Sequence, residues 1–439
     1  MIGADMAGRP STPADGADRL QQSRTAGDPD GWTESAGAAG LALLTSPLIR
    51  PARPPAHQTT KFAFIDALRG YAVLLVITFH TGQMFPKLPH LLKVLTTFGM
   101  QGVQLFFLIS CVTLLLSWRS DEAKGRASAT DFWTRRLFRI APMYYLAALF
   151  YFVVETPPSG FDLGQLLATL TFVNAWHPAL IPTVPDRWVV VRGGWSIGVE
   201  FTFYFVFPLI AVLIRSMRGA IAFCGFALAV GCIANPIMYD ALRDNYSTKA
   251  IRDFLYFWFP NQLSVFALGT VLYFVLLRLW AKPEGAMPVL LRRYGTPIVL
   301  ECLAATFIAP LLPYPQGLLL VPTLLMATLI FMVVVAVLGN DPRSPFINRM
   351  TCSLGQVSFG AYLLHFAVVH KLPRLLPGVF DVGATGWRAV FACFALWVVA
   401  VPTTYGLSMI TFRTIENPMI GVGRRFLEAR RLRRSVLAA

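Results

Sequence analysis

From Phe64 onward the chain alternates apolar runs with short polar stretches that carry most of its Arg, Pro and Gly. The runs approach the roughly 20 residues a helix needs to cross the ~30 Å hydrocarbon core of a bilayer. We expect ten of them to be transmembrane helices, at 65–85, 98–118, 140–155, 195–214, 219–239, 254–277, 296–313, 317–338, 353–371 and 388–412. The segment 161–176 is amphipathic and bounded by proline, and is expected at the outer surface. Residues 1–60 are rich in Ala, Gly, Asp, Ser and Pro and read as a disordered cytoplasmic tail, or as the product of a start codon assigned too far upstream. Their one apolar patch, AGLALLTSPLI, is too short to span and follows acidic residues, unlike a signal peptide. Residues 61–418 form the membrane domain, and 419–439 a basic cytoplasmic tail. The expected fold class is an all-α polytopic membrane protein, with about ten transmembrane helices in one bundle and no internal repeat.

Composition agrees: 55% of the 439 residues are hydrophobic, only 14% are charged, and mean hydropathy is +0.57. The net charge of +15 would suit a nucleic-acid partner if the basic residues clustered on a soluble face. They do not. With the N-terminus in the cytoplasm, 28 of the 38 Lys and Arg fall on inner segments and 10 on outer ones. That is the positive-inside bias of a membrane protein, and no nucleic-acid partner is expected. The terminal run from Arg424 to Arg434 reads as a polybasic segment lying on anionic membrane lipid. Six dispersed cysteines without CxxC spacing read as small buried hydrophobes, and no metal site is expected.

Several polar groups sit where a membrane helix would normally exclude them. FIDALRGYAVLLVITFH carries Asp66, Arg69 and His80. Arg69 and His80 are eleven residues apart, which on a helix places them on one face about 16 Å apart along the axis. Both must face a bundle interior, either as satisfied structural groups or as functional ones. FWTRRLFRIAPMYY follows in an inner loop and clusters Arg135, Arg136 and Arg139. These are positive-inside anchors, or a binding site for a phosphorylated cytoplasmic ligand, since the guanidinium fork fits phosphate. In GGWSIGVEFTFYFVFP, Glu200 lies about one turn inside an apolar helix, at a depth where it and His80 can meet. VSFGAYLLHF puts Tyr362 and His365 on one face of a late span. No P-loop, GxGxxG or GxSxG motif is present.

In order and spacing, these segments resemble the acyltransferase-3 family of integral membrane O-acyltransferases. The resemblance runs from about Lys61 to Pro418. It rests on the Arg–ten residues–His spacing, the Phe-Phe-x-x-Ser of FFLISC, the Arg-x-x-Arg of RLFR, the Trp-Ser-x-x-x-Glu of WSIGVE, the VSFGAYLLH segment and the closing Glu416–Pro418. Cys111 stands where the family usually has Gly, and FGAYLLHF is a loose version of its segment. The resemblance implies that His80 is the essential catalytic residue, with Arg69 its required partner and Glu200 important on the acceptor side. It implies that Arg136 and Arg139 serve the acyl-coenzyme A donor. Trp195, Ser196, Ser110, Tyr362 and His365 would then belong with the bound substrates. The chain resembles the stand-alone kind, which lacks an extracytoplasmic esterase-like domain.

The expected activity is transfer of an acyl group, most simply acetyl, from cytoplasmic acyl-coenzyme A to a hydroxyl of a cell-surface or lipid-linked saccharide, at the inner membrane. No permanently bound cofactor is expected; acetyl-coenzyme A is a substrate. His80 would act as the base tuned near neutrality that a poor hydroxyl nucleophile needs. Glu200 would orient the imidazole or the acceptor, and Arg69 would steady an oxyanion or a donor phosphate. The alternatives are a proton-coupled transporter, which uses the same buried groups, and a non-catalytic subunit working with polysaccharide assembly proteins. The charge asymmetry predicts that both termini face the cytoplasm, as reporter fusions at either end would show; an external C-terminus would break the count of ten spans.

Overall fold

The computed structural model describes residues 63–155, 160–180, 188–282, 284–286, 288–295, 297, 328, 332 and 346–438. The expected N-terminal tail and almost all of the seventh and eighth expected spans, 296–313 and 317–338, lie outside the described residues. The protein is an all-α polytopic membrane protein. Among the described residues, seven helices are long and apolar enough to cross a membrane, or eight if one sharply bent pair counts as a span.

In chain order the main helices are α1 (Ala63–Gln83), α2 (His90–Phe98), α3 (Gly102–Glu122), α4 (Ala129–Val154), α5 (Leu163–Leu170), α6 (Gly194–Leu213) and α7 (Met217–Leu242). They continue as α8 (Thr248–Phe257), α9 (Phe259–Ala281), α10 (Arg349–Gln356), α11 (Ser358–Leu375), α12 (Gly386–Thr411) and α13 (Asn417–Ala438). The α2–α3 unit lies deepest, with 78% of its most apolar window buried, whereas α7 buries only 11% and faces outward along most of its length. Exposed Phe205, Ile233, Phe391 and Phe394 fit a lipid-facing surface, because lipid tails are as apolar as these side chains.

Helix α1 organises the bundle. Its closest partner is α10, a two-turn helix crossing it where two backbones nearly touch. A Cβ on Gly355 would overlap the Asp66 carbonyl, and one on Gly70 would overlap the Thr351 carbonyl. Small residues at such crossings let helices approach closely when no hydrophobic driving force separates lipid from protein. The Asn348 side chain caps α10 in a reciprocal capping box with Thr351. At Val357 the chain turns through 86° into α11, so the segment expected as one span at 353–371 is a sharply bent helix pair. Further along α1, Trp397 Nε1 of α12 donates to Thr78 Oγ1 at 2.9 Å.

The ends of α4 and α6 are held by charge. Arg119 of α3 donates to the Ala211 and Ile214 carbonyls, both at 2.8 Å, and so closes the last turn of α6. Arg135 of α4 pairs with Asp121 of α3 at 2.7 Å. The unusual Cys111 is accommodated across the α3–α9 interface by Gly269, where a Cβ would lie 2.7 Å from that of Cys111.

Two expected boundaries change. Helix α4 begins at Ala129, not at 140, so Arg135, Arg136 and Arg139 lie on a helix rather than in a loop. Hydropathy ends a span at its first arginines; here neighbouring helices supply the partners that let the helix continue. The basic C-terminal segment is also helical. It continues α12 through a π-helical turn, Phe412–Glu416, and α13 docks along α4. Arg431 donates to Asp131 at 2.8 Å, Arg430 stands 3.8 Å from it, and Phe426 meets Phe138. Arg424 and Arg425 remain exposed.

Gly355→Ala tests the α1–α10 crossing. An alanine at an open helical site such as Gly406, which has nothing within 4 Å, should stabilise by up to about 1 kcal/mol through helix propensity. At Gly355 the sign should reverse, with a loss of about 1–3 kcal/mol, read as opposite shifts in thermal unfolding in detergent.

Candidate active site

Helices α1, α3, α4, α6 and α11 converge on a cavity of about 80 Å³, room for a few waters. At one end it is lined by Arg69, Arg136 and Arg139, further along by Ser110, Glu200 and Tyr204, and then by Ser196 and Tyr362. Residues singled out in the sequence from five segments, on α1, α3, α4, α6 and α11, therefore meet in one place.

The three arginines are held unequally. Arg69 lies 3.6 Å from Asp66, one turn earlier on α1, and donates to Thr113 Oγ1 at 3.3 Å. The Arg136 guanidinium stands 5.7 Å from the centres of both the Phe132 and Tyr204 rings, and its buried Nε has no partner. Such ring faces hold a cation without neutralising it. Among the described residues, no carboxylate lies within 4.0 Å of Arg136 or Arg139, in contrast to Arg135 next to them. Two cations thus face a cavity with their hydrogen-bonding capacity largely unspent.

Glu200 accepts from Ser110 at 2.6 Å and from the Tyr204 hydroxyl. Its charge lies within electrostatic reach of Arg136. Ser196 donates to the Tyr362 hydroxyl at 2.7 Å, which donates in turn to the Gly193 carbonyl at 3.1 Å. Gly193 caps α6 in the left-handed region, with φ 73°, a conformation that glycine takes without strain. Trp195 points elsewhere: it packs on Phe257, with ring centres 4.3 Å apart, and is absent from the cavity lining.

His80 lies beyond the cavity, near the far end of α1. Its Nδ1 is 2.8 Å from the amide oxygen of Gln83, one turn later. An amide oxygen can only accept, so this contact favours the proton on Nδ1, and in the neutral ring that leaves the lone pair on Nε2, the form a base needs. The ring packs on Phe366 at 4.1 Å and stands 5.2 Å from the His365 ring. His365 is fully buried, and neither ring nitrogen has a partner. The edge-to-face pair of Phe106 and Tyr362, centres 6.0 Å apart, stands on the cavity side of this cluster. The expected meeting of Glu200 with His80 is not realised. The carboxylate is committed to Ser110 and Tyr204, and Gln83 orients the imidazole instead.

Tyr204, Gln83 and Asp66 complete the arrangement, and none was assigned a role from sequence. Gln83 and Asp66 sit three residues from His80 and Arg69, a spacing that marks neighbours on a helix face; Tyr204 is four from Glu200.

Comparison with known proteins matches this arrangement to a family. The family model Acyl_transf_3, described as an acyltransferase domain, covers residues 62–409. The chain belongs to this family. It is an enzyme that transfers acyl groups, carried on a multi-pass membrane scaffold. It is similar to Acyltransferase MdmB of Streptomyces mycarofaciens, at 27% identity over 85% of this chain and 95% of that protein. A Staphylococcus aureus (strain COL) protein named as an O-acetyltransferase is 25% identical over 81% of this chain, which spans only 56% of its length. The Exopolysaccharide production protein ExoZ of Rhizobium meliloti is 28% identical over 40% of this chain and 56% of that protein. No solved structure matches.

The Gln83 contact is testable by itself. Gln83→Leu removes the acceptor that fixes the His80 tautomer while leaving the cavity intact. Turnover should fall by about tenfold or more with little change in the KM for the acyl donor. An unchanged turnover would show that Gln83 is only a surface contact.

Proposed function

We propose that the protein transfers an acetyl group from cytoplasmic acetyl-coenzyme A to a hydroxyl of a lipid-linked or cell-surface saccharide. The observation that carries this reading is the pairing of two arginines, without a carboxylate within 4.0 Å among the described residues, at one end of the site with an imidazole oriented by Gln83 at the other. Arg69 and His80 sit on one helix about 16 Å apart, and the cavity is lined by Arg69 and not by His80. A coenzyme A donor is asymmetric in the same way. Its phosphates carry the charge and its thioester lies at the tip of a flexible arm. The phosphates would stay with Arg136 and Arg139, because burying them deeper costs too much. The arm alone would extend toward His80.

Transfer then follows. The acceptor hydroxyl gives its proton to His80 Nε2 as its oxygen attacks the thioester carbonyl. The carbon–sulfur bond breaks, and the thiolate recovers the proton from the imidazolium. A base of this kind supplies about 10²–10⁴-fold, and positioning of the two substrates supplies the rest. Arg69 holds donor charge at the arginine end. Glu200 holds Ser110 and Tyr204 around the cluster and balances its charge, a role different from orienting the base. The phosphate-bearing donor places the arginine end in the cytoplasm, with both termini there and the protein in the inner membrane. The exposed Arg424 and Arg425 would rest on anionic lipid. The relatives named O-acetyltransferase and exopolysaccharide production protein support the acetyl group and the saccharide.

Purified protein supplied with radiolabelled acetyl-coenzyme A and cell-envelope glycans should label the glycan fraction. His80→Ala should reduce labelling by about 10²-fold or more while the protein still inserts and folds. Near-parental labelling by folded mutant protein would overturn the mechanism.

A further inference from the structure

His365 is fully buried, and among the described residues neither of its ring nitrogens has a hydrogen-bond partner. A neutral imidazole always carries one N–H, so a donor is left unspent inside the bundle. An unpaired polar group in such a place is costly, and a leucine or phenylalanine packed there would avoid the cost. Local partners exist on this helix. His370 of α11 places its Nδ1 2.8 Å from the Phe366 carbonyl four residues back. The Ala361 and Tyr362 carbonyls are the corresponding acceptors for His365, and neither is met with hydrogen-bond geometry.

The neighbours of this ring belong to the catalytic end of the site. His80 lies 5.2 Å away, centre to centre, and Phe366 packs on both imidazoles, 4.2 Å from His365 and 4.1 Å from His80. Tyr362, which lines the cavity, stands 5.7 Å from His365. Attack on a thioester carbonyl drives negative charge onto its oxygen, which must find a donor close to the base. Arg69 lies about 16 Å away along α1, too far to serve. Nδ1 of His80 is committed to Gln83, and the Tyr362 hydroxyl to the Gly193 carbonyl. Gln83 itself is exposed, where water weakens what a donor can contribute. Thr81 Oγ1 is buried and unpartnered too, but it points about 100° around α1 from His80. His365 is left as the buried, unspent donor beside the base.

We propose that His365 is a second catalytic residue, donating a hydrogen bond from its neutral imidazole to the thioester carbonyl oxygen while His80 takes the acceptor proton. The thioester would reach it past Phe106 and Tyr362. The attacking hydroxyl oxygen bonds to the carbonyl carbon, its proton passes to His80, and a carbonyl electron pair moves onto the oxygen held by His365. A tetrahedral carbon carries both oxygens, so two neighbouring rings can hold one each. On collapse the pair returns to re-form the carbonyl, the carbon–sulfur bond breaks, and the thiolate takes the proton from His80. His365 keeps its own proton throughout. The inference rests on the reading of His80 as the base and an acyl thioester as the donor.

His365→Leu in the full-length protein separates this role from packing. The kcat for acyl transfer should fall by about 10²-fold or more, the typical loss for one such donor. The Kd for coenzyme A should stay as in the parent, because the arginine end is untouched. The melting temperature should hold or rise, since an unpaired polar group has been replaced by an apolar one. His365→Gln restores an N–H that cannot titrate; it should recover about tenfold over His365→Leu and keep the parental pH profile of kcat. Should His365→Leu fail to fold, His365→Met reads the same loss with a more adaptable side chain. A packing role would move the melting temperature and leave kcat near parental, overturning the proposal. So would a glutamine variant as inactive as the leucine one, which would make the imidazole a proton carrier, or an equal loss of kcat in Thr81→Val. His80→Ala with near-parental transfer would overturn the acyl-transfer mechanism and this inference with it. Inactive His80→Ala beside near-parental His365→Leu would overturn this inference alone.

Discussion

The arrangement of this protein depends on keeping several guanidinium groups charged inside a bundle that is otherwise apolar. A single arginine in hydrocarbon is costly, and two that face one cavity also repel each other. The fold meets this with a different device for each. Arg69 has Asp66 a turn away, Arg135 has Asp121 across a helix interface, and Arg136 lies against two aromatic rings. Arg139 has no carboxylate within 4.0 Å among the described residues and lies only within electrostatic reach of Asp66 and Glu416. The gradation matters: the cations neutralised by the protein are structural, and the less they are neutralised, the more they can offer a ligand.

Helix α1 turns this charge arrangement into a site with direction. Arg69 and His80 ride on one rigid rod, so their separation is set by helical rise and does not depend on loop conformation. The crossing of α1 by α10 at Gly70 and Gly355 fixes the rod at the level of Asp66 and Arg69. The break at Val357 then sends α11 past His80, where Phe366 and His365 pack on the imidazole. One short helix therefore sets both ends of the site.

Much of this was legible in the sequence, for identifiable reasons. The all-α class follows from apolar runs too long for anything but spans. The face shared by Arg69 and His80 follows from an eleven-residue spacing, and the match of residues 62–409 to the family agrees with the motif order. Other features were beyond a linear reading. Hydropathy placed Arg136 and Arg139 in a loop, because it counts the cost of a charge and cannot count the rings of Phe132 and Tyr204 that offset it. Glu200 was placed with His80 by depth alone, whereas its partners Ser110 and Tyr204 are decided by which faces of α3 and α6 turn inward. The bend at Val357 has no proline to announce it; it follows directly on the close approach of Gly355 to α1.

The pairing of Asp131 with Arg431 spans 300 residues of sequence. A ribosome threading this chain into a membrane delivers α4 early and α13 last. Throughout synthesis, the helix bearing Arg136 and Arg139 lacks the counterpart that later covers Asp131 and Phe138. The arginine end is thus the last part of the bundle to be completed, although its residues are among the first to be inserted. A chain halted before α13 has its arginine helix in place without the brace behind it.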